Sequence, residues 1–480
     1  MAKLWEKGYS LDTLIERFTV GNDYLLDRRL IAADAIASIA HARMLRAIDL
    51  LSSEDLAKLE EELRAIAREA VTTGLSIEPA QEDSHTFIEE RLVLQVGEAG
   101  KRIHTGRSRN DQVLASTRLF AREGVLAVRE ALSDAVEALC MVAEAHESTP
   151  MPGRTHLQPA MPSTVALWAA SYAEGLLDAD SLLASAFRLV DRSPLGAAAS
   201  YGVPLPLDRE LVARELGFAE VQHNVLDVVS SRGRVELALL DSLDQIGIVL
   251  SRFATDLILF TMPEFAYFSL PPALCSGSSI MPQKRNPDGL ELMRGKSSTL
   301  SSYTDLVRNV VRSLPSAYNR DVQETKEPLM RGIDLVLDLL LVASLTVREL
   351  EVNVDNLARA LTPDVYATDD AIDRVVAGES FRDAYRAVAS GLAARGAVER
   401  DAAEAIARRT STGTPGNLGL DWIREGLAET RAEVARSRER ILSAVRTLAG
   451  QQLSLYPGMP PKGGVDDHRR ERNEVGQTEQ

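Results

Sequence analysis

Cysteine is nearly absent from this chain, since Cys140 and Cys275 are the only two among 480 residues. A disulfide framework is therefore excluded, and we interpret both residues as ordinary buried thiols in a protein of a reducing compartment. Glycine and proline are also sparse, at 30 and 20 residues, so collagen-like and low-complexity classes do not fit. The hydrophobic share of 45% and the charged share of 26% indicate a globular chain with a large core.

Basic charge is in deficit, because 54 lysines and arginines face 70 aspartates and glutamates, a formal net charge of −16. This balance argues against a nucleic-acid or acidic-membrane binder, although a local cationic pocket for a small anion is compatible with it. The first 18 residues lack the uninterrupted apolar core of a secretory signal, so we expect a cytoplasmic protein. The most apolar stretch, 235–260, predicts a buried helix rather than a membrane span, because charged residues interrupt it, among them Asp241, Asp244, Arg252 and Asp256.

Apolar residues within 235–260 recur at alternating steps of four and three, the repeat of a helix packed in a bundle. This seam consists of Leu239, Leu243, Ile246, Leu250, Phe253, Leu257 and Phe260. Further helical patterns run through 162–190, through Val125, Val128, Leu132, Val136 and Leu139, and through Leu335, Leu339, Val342 and Leu345. No stretch of alternating β-branched residues is comparable, so we predict a mainly α fold. Helices of about 25–35 residues are about 40–50 Å long, and such rods usually pack against other subunits, which predicts a homo-oligomer.

A loop between two of these patterns, 277–287, combines hydroxyls, a cation and an amide: Ser278, Ser279, Lys284 and Asn286. A serine is too weak an acid to act as a base at neutral pH unless its alkoxide is stabilised. Backbone N–H groups or Lys284 could stabilise the alkoxide of Ser278. The alternative is a Gly/Ser/Pro turn that carries a solvated lysine.

The longer string GSSIMPQKRNPDGLELMRGK, residues 277–296, closely resembles the signature loop of the fumarase/aspartase superfamily, whose members eliminate fumarate from substituted succinates. HTGRSRNDQV at 104–113, GRTHLQPAMP at 153–162 and AYNRDVQETKEPL at 317–329 resemble argininosuccinate lyases rather than fumarases or aspartases. The resemblance extends from about residue 20 to about residue 390. It implies a mainly α fold with a fumarase/aspartase-type long-helix bundle, three domains, and a homotetramer with shared active sites.

We accordingly expect an N-terminal helical domain at 1–110, a central long-helix bundle at 111–360 and a small C-terminal helical domain at 361–455. Apolar periodicity is lost from Tyr456, which predicts a mobile tail at 456–480.

The resemblance implies that Ser278 is the base that removes a β-proton from the succinyl carbon. Lys284 and Asn286 would hold the dianionic aci-carboxylate that forms before the C–N bond breaks. His156 would deliver a proton to the leaving nitrogen, and Glu291 would pair with it, since a carboxylate fixes the tautomer of a histidine. A histidine in a Pro- and Gly-rich turn can instead be purely structural, and the THLQ context favours function.

The binding residues are implied in the same way. Ser108, Arg109 and Asn110 have the composition expected around a carboxylate, and the resemblance places Arg109, Asn110 and Thr155 on the succinyl portion. Ser279 is also a substrate-binding candidate. The amine end of the substrate would be bound by Tyr318, Gln323 and Lys326, unless these form a polar loop surface. His85 and His104 match family positions, but we assign neither a catalytic role.

No metal or cofactor is expected. The seven histidines are scattered, no H-x-x-x-H or C-x-x-C spacing occurs, and dinucleotide and P-loop fingerprints are absent. The elimination that the resemblance implies requires no metal, so the partners we expect are a small-molecule substrate and further copies of this chain.

Several positions depart from the family pattern. Asp23 stands where argininosuccinate lyases have a substrate-contacting serine, and Arg154 stands where they have tyrosine. Ser231 and Gly233 replace two aspartates, and Arg285 replaces a second lysine. The opening LWEKGY at 4–9 also differs from the usual Leu-Trp-Gly-Gly-Arg-Phe, so an N-terminal lid could differ.

These departures leave three hypotheses. The first is a lyase that splits argininosuccinate into arginine and fumarate. The second keeps fumarate but changes the amine, as with a diamine-linked succinate, because the carboxylate of Asp23 would favour a cationic amine. The third is a catalytically silent structural homologue, against which the retention of Ser278, Lys284, His156 and Glu291 argues.

Overall fold

The structure is a computed structural model that describes residues 12–392 and 400–457. Over these residues the chain is mainly helical, which confirms the predicted fold class. The 4–9 segment and residues 458–480 of the predicted tail lie outside the described residues.

The N-terminal part consists of helices around one apolar core. Helix α3 is rich in alanine and almost completely buried, and α4 packs on it through Leu59, Leu63 and Ile66. The side chain of Ser52 accepts a hydrogen bond from the Asp55 N–H and so caps α4. The helices are α1 (Thr13–Val20), α2 (Asp23–Leu26), α3 (Ile31–Ala47), α4 (Ser53–Thr72), α5 (Ser84–Val96) and α6 (Glu98–Arg102), with 3₁₀ turns at Asp27–Arg29 and Pro79–Gln81.

The central bundle is built on α7 (Arg109–Ala145), a 37-residue helix whose predicted apolar face is buried, as expected. Around it lie α8 (Val165–Val190), α11 (Arg234–Phe260), α12 (Asp288–Val311) and α13 (Lys326–Arg348), together with the short helices α9 (Arg209–Glu215) and α10 (Val225–Ser230). All seven residues of the predicted α11 seam are buried, which confirms that pattern. No helix in the described part of the chain is long and apolar enough to cross a bilayer.

The pattern assigned to α13 lies in a helix, as predicted, and its residues differ in burial within this chain. Leu339 is buried, but Val342 and Leu345 are exposed in the chain, at 39% and 42%. The core face carries Ile333, Val336, Leu340, Ala343 and Val347 instead. The periodicity predicted the helix but did not identify which of its apolar residues pack inside this chain.

The C-terminal part contains α14 (Val354–Arg359), α15 (Ala367–Val376), α16 (Phe381–Gly391), α17 (Ala402–Ala407) and α18 (Leu420–Ala449), with a 3₁₀ turn at Pro363–Tyr366. Although 361–455 was predicted to be a separate small domain, α18 returns to the bundle, where Ile423, Leu427 and Val434 join the central core. The division into three domains stays a prediction.

Within residues 12–392 and 400–457, three short two-stranded sheets accompany the helices. Strands β1 (Pro150–Thr155) and β2 (Gln158–Thr164) form an antiparallel hairpin. Strands β3 (Arg192–Ser193) and β4 (Glu220–Val221) pair in parallel, and β5 (Phe268–Ser269) and β6 (Glu351–Val352) pair antiparallel. The remaining 3₁₀ turns lie at Pro272–Leu274 and Arg320–Thr325.

Tyr456, the first residue of the predicted tail, is buried rather than mobile. Its hydroxyl donates to Asp334 at 2.6 Å, and its ring packs edge-on against Phe120 at 5.1 Å. The carboxylate of Glu123 accepts from the backbone N–H groups of Leu455 and Tyr456.

The two cysteines differ in burial, since Cys140 is buried whereas Cys275 is partly exposed.

Candidate active site

An open cleft of about 90 Å³ lies where α2, α5, α7 and the turn before α13 meet. It brings together side chains from positions 300 residues apart in the sequence. Six of the predicted substrate-binding residues line it: Asp23, Arg109, Asn110, Tyr318, Gln323 and Lys326.

Lys326 lies at the floor of the cleft, where its ammonium is held between two carboxylates. Its Nζ lies 2.6 Å from Asp27 and 3.0 Å from Asp23, and its side chain is 3% exposed. Burial alone would lower the pKa of Lys326, but the charges of Asp27 and Asp23 outweigh it and raise the pKa. The lysine is therefore a permanent cation that two side chains of the protein already neutralise.

Asp23 is the first residue of α2 and does not serve as its cap. Its carboxylate faces the cleft and Lys326. Burial raises the pKa of Asp23 and Asp27 adds to the rise, whereas Lys326 and Arg232 oppose it. This departure thus adds a carboxylate at the place where the resemblance puts the amine end of the substrate.

Arg109 reaches the cleft with its guanidinium already in contact with protein acceptors. It donates to Glu82 at 2.9 Å and to the Thr86 hydroxyl at 2.6 Å, and Asp83 lies 3.5 Å away. Burial lowers the pKa of Arg109, but Asp83 and Glu82 raise it overall. A substrate carboxylate would share this fork with the protein.

The neighbouring Ser108 has a structural task. Its hydroxyl accepts from the Asn110 N–H at 3.3 Å, and its own N–H donates to Asp111 at 2.9 Å, which forms a capping box at the start of α7. The cap fixes the first turn of α7, and so it holds the side chains of Arg109 and Asn110 in the direction of the cleft. Contact of Ser108 with a substrate stays a prediction.

His85 lines the cleft and forms a dyad that the sequence did not assign. Its Nδ1 lies 2.6 Å from Asp34, and its Nε2 is buried without a hydrogen-bond partner. Burial lowers the pKa of His85, but the charge and hydrogen bond of Asp34 outweigh it and raise the pKa. By contrast, burial and the charge of Arg107 lower the pKa of His104 to about 4, so that histidine is neutral near pH 7.

Gln323 and Tyr318 are held by the chain around them. The Gln323 amide donates to the carbonyls of Thr19 and Val20 at 3.1 and 3.3 Å, so it joins the turn before α13 to the end of α1. The Arg232 guanidinium lies 6.0 Å from the centre of the Tyr318 ring. Both predicted amine-end residues therefore have defined positions at the rim of the cleft.

Thr155 and His156 lie elsewhere, at the exposed tip of the β1–β2 hairpin. His156 and Leu157 are the two central residues of the turn and both are left-handed, with φ of 52° and 62°. This is the type I′ hairpin turn, which glycine or asparagine usually occupies. Residues held in this region cost of order 1–3 kcal/mol each, so neighbouring contacts must hold the turn in place.

The Ser278 loop forms a third location. An antiparallel bridge between Ser276 and Asn286 closes it, with N–O distances of 3.0 and 2.9 Å. The Ser278 Oγ accepts from the backbone N–H groups of Met281 at 3.1 Å and Ile280 at 3.4 Å. These donors are of the kind that a serine alkoxide requires. Ser279, Lys284 and Arg285 are exposed on the loop.

Glu291 lies in the first turn of α12, just after this loop, and its side chain is exposed. No residue of the hairpin tip or of the Ser278 loop lines the cleft described above. Within the part of the chain that the structure describes, the predicted site residues thus occupy three separate places: the cleft, the hairpin tip and the loop with the start of α12.

Two of the family departures have local explanations. A side chain at Gly233 would place its Cβ 2.4 Å from Val311, and φ is 83° there, so an aspartate does not fit. Ser231 is buried, and its hydroxyl accepts from Arg118 at 3.1 Å. Burial lowers the pKa of Arg118 to about 10, and no carboxylate at 231 compensates for it.

The sequence reasoning missed several cleft residues, namely Asp27, Glu82, Asp83, Arg232 and Arg320. Glu82 and Asp83 stand beside His85 in the EDSHTF string, so that motif was the available signal. Arg232 was visible between the two replaced aspartates.

Among the described residues, no cluster of three or more His, Cys, Asp or Glu is arranged to hold a metal ion. That the reaction needs no metal stays a prediction.

Comparison with known proteins identifies relatives over most of the chain. A family model described as lyase matches residues 8–300. The chain is 46% identical over 419 residues to the argininosuccinate lyase of Sorangium cellulosum, covering 87% of this chain and 97% of that protein. It is 41% identical over 387 residues to the argininosuccinate lyase of Thermotoga neapolitana, covering 81% and 97%. Among solved structures, EDDS lyase in complex with formate has the same fold, with a TM-score of 0.78, 22% identity, and coverage of 92% and 95%.

The His85 dyad generates a prediction about titration. In Asp34→Asn the charge that raises the pKa of His85 is removed while burial remains, so this pKa should fall below its ordinary value. NMR titration of the histidine Cε1 resonances measures this directly. His146, whose pKa is lowered by burial alone, is the internal control and should not change. A His85 that still titrates above its ordinary value would contradict the assignment.

The same shift gives a stability change with a defined sign. A raised pKa in the folded state stabilises the wild-type protein fully at pH values below the unfolded-state pKa of histidine. This contribution is lost as pH rises through the folded-state pKa of His85, and Asp34→Asn should lack it. Urea denaturation across this pH range checks the difference.

Proposed function

This chain belongs to the argininosuccinate lyase family within the fumarase/aspartase superfamily, and from that membership we propose that it splits argininosuccinate into arginine and fumarate. It is a carbon–nitrogen lyase by this membership, and the retention of Ser278, Lys284, His156 and Glu291 argues against a silent homologue. The observation that carries the proposal is the Ser278 loop, where two backbone N–H groups converge on the Oγ.

In the proposed reaction, Ser278 removes the β-proton and the electron pair moves into the neighbouring carboxylate. Lys284 and Asn286 stabilise the resulting aci-carboxylate with a charge and a neutral donor. The Asn286 amide donates to the Gly277 carbonyl at 3.3 Å, which supports its placement beside Ser278 in the same closed loop.

Collapse of the aci-carboxylate then forms the fumarate double bond and releases the C–N electron pair to nitrogen. His156 protonates that nitrogen, and Glu291 holds the imidazole in the required tautomer. The exposed hairpin tip suits this role, because a projecting imidazole can enter a site formed with other residues.

The succinyl end and the amine end of the substrate are bound by different sets of residues. Arg109 and Asn110 hold the succinyl carboxylates from the cleft side, together with Thr155, Ser279 and Ser108. Tyr318, Gln323 and Lys326 surround the amine end. The cleft supports this arrangement because Arg109 and Lys326 both line it, and each has its own carboxylate partner.

We further propose a homotetramer in which different subunits contribute the three parts of each site. Apolar side chains lie exposed on α12 and α13, where Leu292, Leu306 and Leu341 are 59%, 46% and 40% exposed. Faces of this kind are usually covered by another chain. The proposed enzyme is cytoplasmic, in keeping with its two cysteines.

A second candidate, elimination of fumarate from a diamine-linked succinate, is favoured by one contact. Asp23 is a second carboxylate on Lys326 beside Asp27, so it competes with the carboxylate of a released amino acid for this lysine. An amine end that carries a cation instead of a carboxylate would pair with Asp23.

The base assignment predicts that Ser278→Ala lowers turnover by roughly 10²- to 10⁴-fold and leaves the fold intact, because general-base assistance is lost. Fumarate absorbance with argininosuccinate as substrate measures turnover, and circular dichroism monitors the fold. Lys284→Met should lower kcat more than it raises KM, since charge stabilisation is realised in the transition state. Near-normal turnover of Ser278→Ala would remove that residue from the mechanism, and a wild-type protein that releases no fumarate from argininosuccinate would reject this substrate.

The shared-site proposal predicts complementation between two inactive variants. When Ser278→Ala and His156→Asn are unfolded together and reassembled, some sites should combine intact parts and activity should return in part. Each variant reassembled alone is the control and should stay inactive. A monomer by light scattering would contradict the proposal.

The Asp23 contact predicts a change of specificity. Asp23→Ser removes one of the two carboxylates on Lys326 and leaves Asp27 in place, so a substrate carboxylate meets less competition. The kcat/KM for argininosuccinate relative to a diamine-linked succinate should therefore rise. One partly desolvated charge contact is worth about 1–3 kcal/mol, or about 5- to 150-fold in this ratio. Asp321→Ser removes an exposed carboxylate outside the cleft and is the matched control. An unchanged ratio would leave Asp23 with a structural role alone.

A further inference from the structure

We propose that Arg154 is a positioning residue that holds the turn carrying His156 in its reactive place. The inference rests on the proposed function, in which His156 protonates the leaving nitrogen. It concerns one of the departures from the family, since tyrosine is the usual residue at this position.

The contacts of Arg154 join the hairpin tip to a neighbouring segment. Its Nη1 donates to the Leu157 carbonyl inside the turn at 2.9 Å, and its Nη2 donates to the Tyr267 hydroxyl at 2.7 Å. The guanidinium also lies over the Phe265 ring, 4.6 Å from its centre. One side chain thus bridges the turn and the segment 265–267.

The hairpin needs this bridge because its backbone is weakly held. Four prolines lie in its strands, and they donate no backbone hydrogen bonds: Pro150, Pro152, Pro159 and Pro162. Arg154 itself is paired with Pro159, and the register shifts between Pro152 and Arg154. The two left-handed residues at the tip add strain to this incomplete ladder.

The far end of the bridge is firmly anchored. Tyr267 is 2% exposed, and its N–H donates to the Phe260 carbonyl at the end of α11 at 2.9 Å. Its carbonyl accepts from the Asn353 N–H at 2.8 Å, at the start of α14. The guanidinium of Arg154 therefore fixes the His156 turn relative to the end of α11 and the start of α14, because Tyr267 is bound to both.

Arginine suits this position for a geometric reason. Its planar fork serves two acceptors in different directions while its face stacks on a ring, whereas a lysine offers one point charge and no flat face. Since the contact is to the turn and not to the substrate, loss of Arg154 should affect the placement of the proton donor more than substrate binding.

Kinetics of Arg154→Lys test the inference. We expect kcat to fall by about 10- to 100-fold, as for a misplaced catalytic group, with KM changed by less than about threefold. Arg46→Lys, at an exposed arginine that donates through Nε and Nη1 far from the hairpin in sequence, is the matched control and should behave as wild type. A rise in KM with unchanged kcat would overturn the proposal.

A second variant covers the case in which Arg154→Lys does not fold. Tyr267→Phe removes the hydroxyl acceptor and keeps the ring, so it should lower kcat in the same direction by a smaller factor. Combined with Arg154→Lys, it should add little, because both changes break the same bridge. Wild-type kcat in Tyr267→Phe, when Arg154→Lys is unfolded, would overturn the proposal.

An NMR measurement separates this inference from the proposed function. The chain has seven histidines, and His156→Asn identifies the His156 Cε1 resonance. In Arg154→Lys this resonance should shift or broaden while that of His146 does not. If the wild type releases no fumarate but the resonance responds, the proposed function fails and the positioning role stands. An unchanged His156 resonance together with wild-type kcat would overturn the positioning role.

Discussion

The ion pair between Asp27 and Lys326 is the interaction on which the cleft depends. The two side chains are 1% and 3% exposed and meet at 2.6 Å. The second oxygen of Asp27 accepts from the Ser84 N–H at 3.2 Å, so one carboxylate holds the starts of α5 and α13 together. Loss of Lys326 would cost about 3–5 kcal/mol, because the buried carboxylate of Asp27 would stay in the core without its cation. The cleft lies where these helix starts converge.

Much of the bundle could be predicted from the sequence, because a heptad repeat depends only on neighbouring turns of one helix. The seam of α11 shows this, as does the buried face of α7. The periodicity of α13 likewise predicted a helix, but not that Val342 and Leu345 would be exposed in the chain, since burial depends on the neighbouring helices.

The candidate site, too, could be predicted from the sequence only in part. Motif strings were enough to nominate Ser278, His156 and Lys326, but not to find what contacts them. The partner of Lys326 is Asp27, 299 residues away, and the support of the His156 turn is Tyr267, 113 residues from Arg154. Contacts over such separations arise from helix packing, and no local pattern in the sequence records them. The His85 dyad was missed for this reason as well, because Asp34 lies on a different helix.

The end of the described chain has a consequence for the order in which the protein folds. Glu123, in the middle of α7, receives hydrogen bonds from Ser454, Leu455 and Tyr456, more than 330 residues later in the sequence. Burial raises the pKa of this carboxylate, and those donors oppose the rise. During synthesis on the ribosome, α7 emerges long before its donors exist. The centre of α7 therefore reaches its final environment only after residues 454–456 have been translated, and a nascent chain halted before residue 454 lacks these three donors to Glu123.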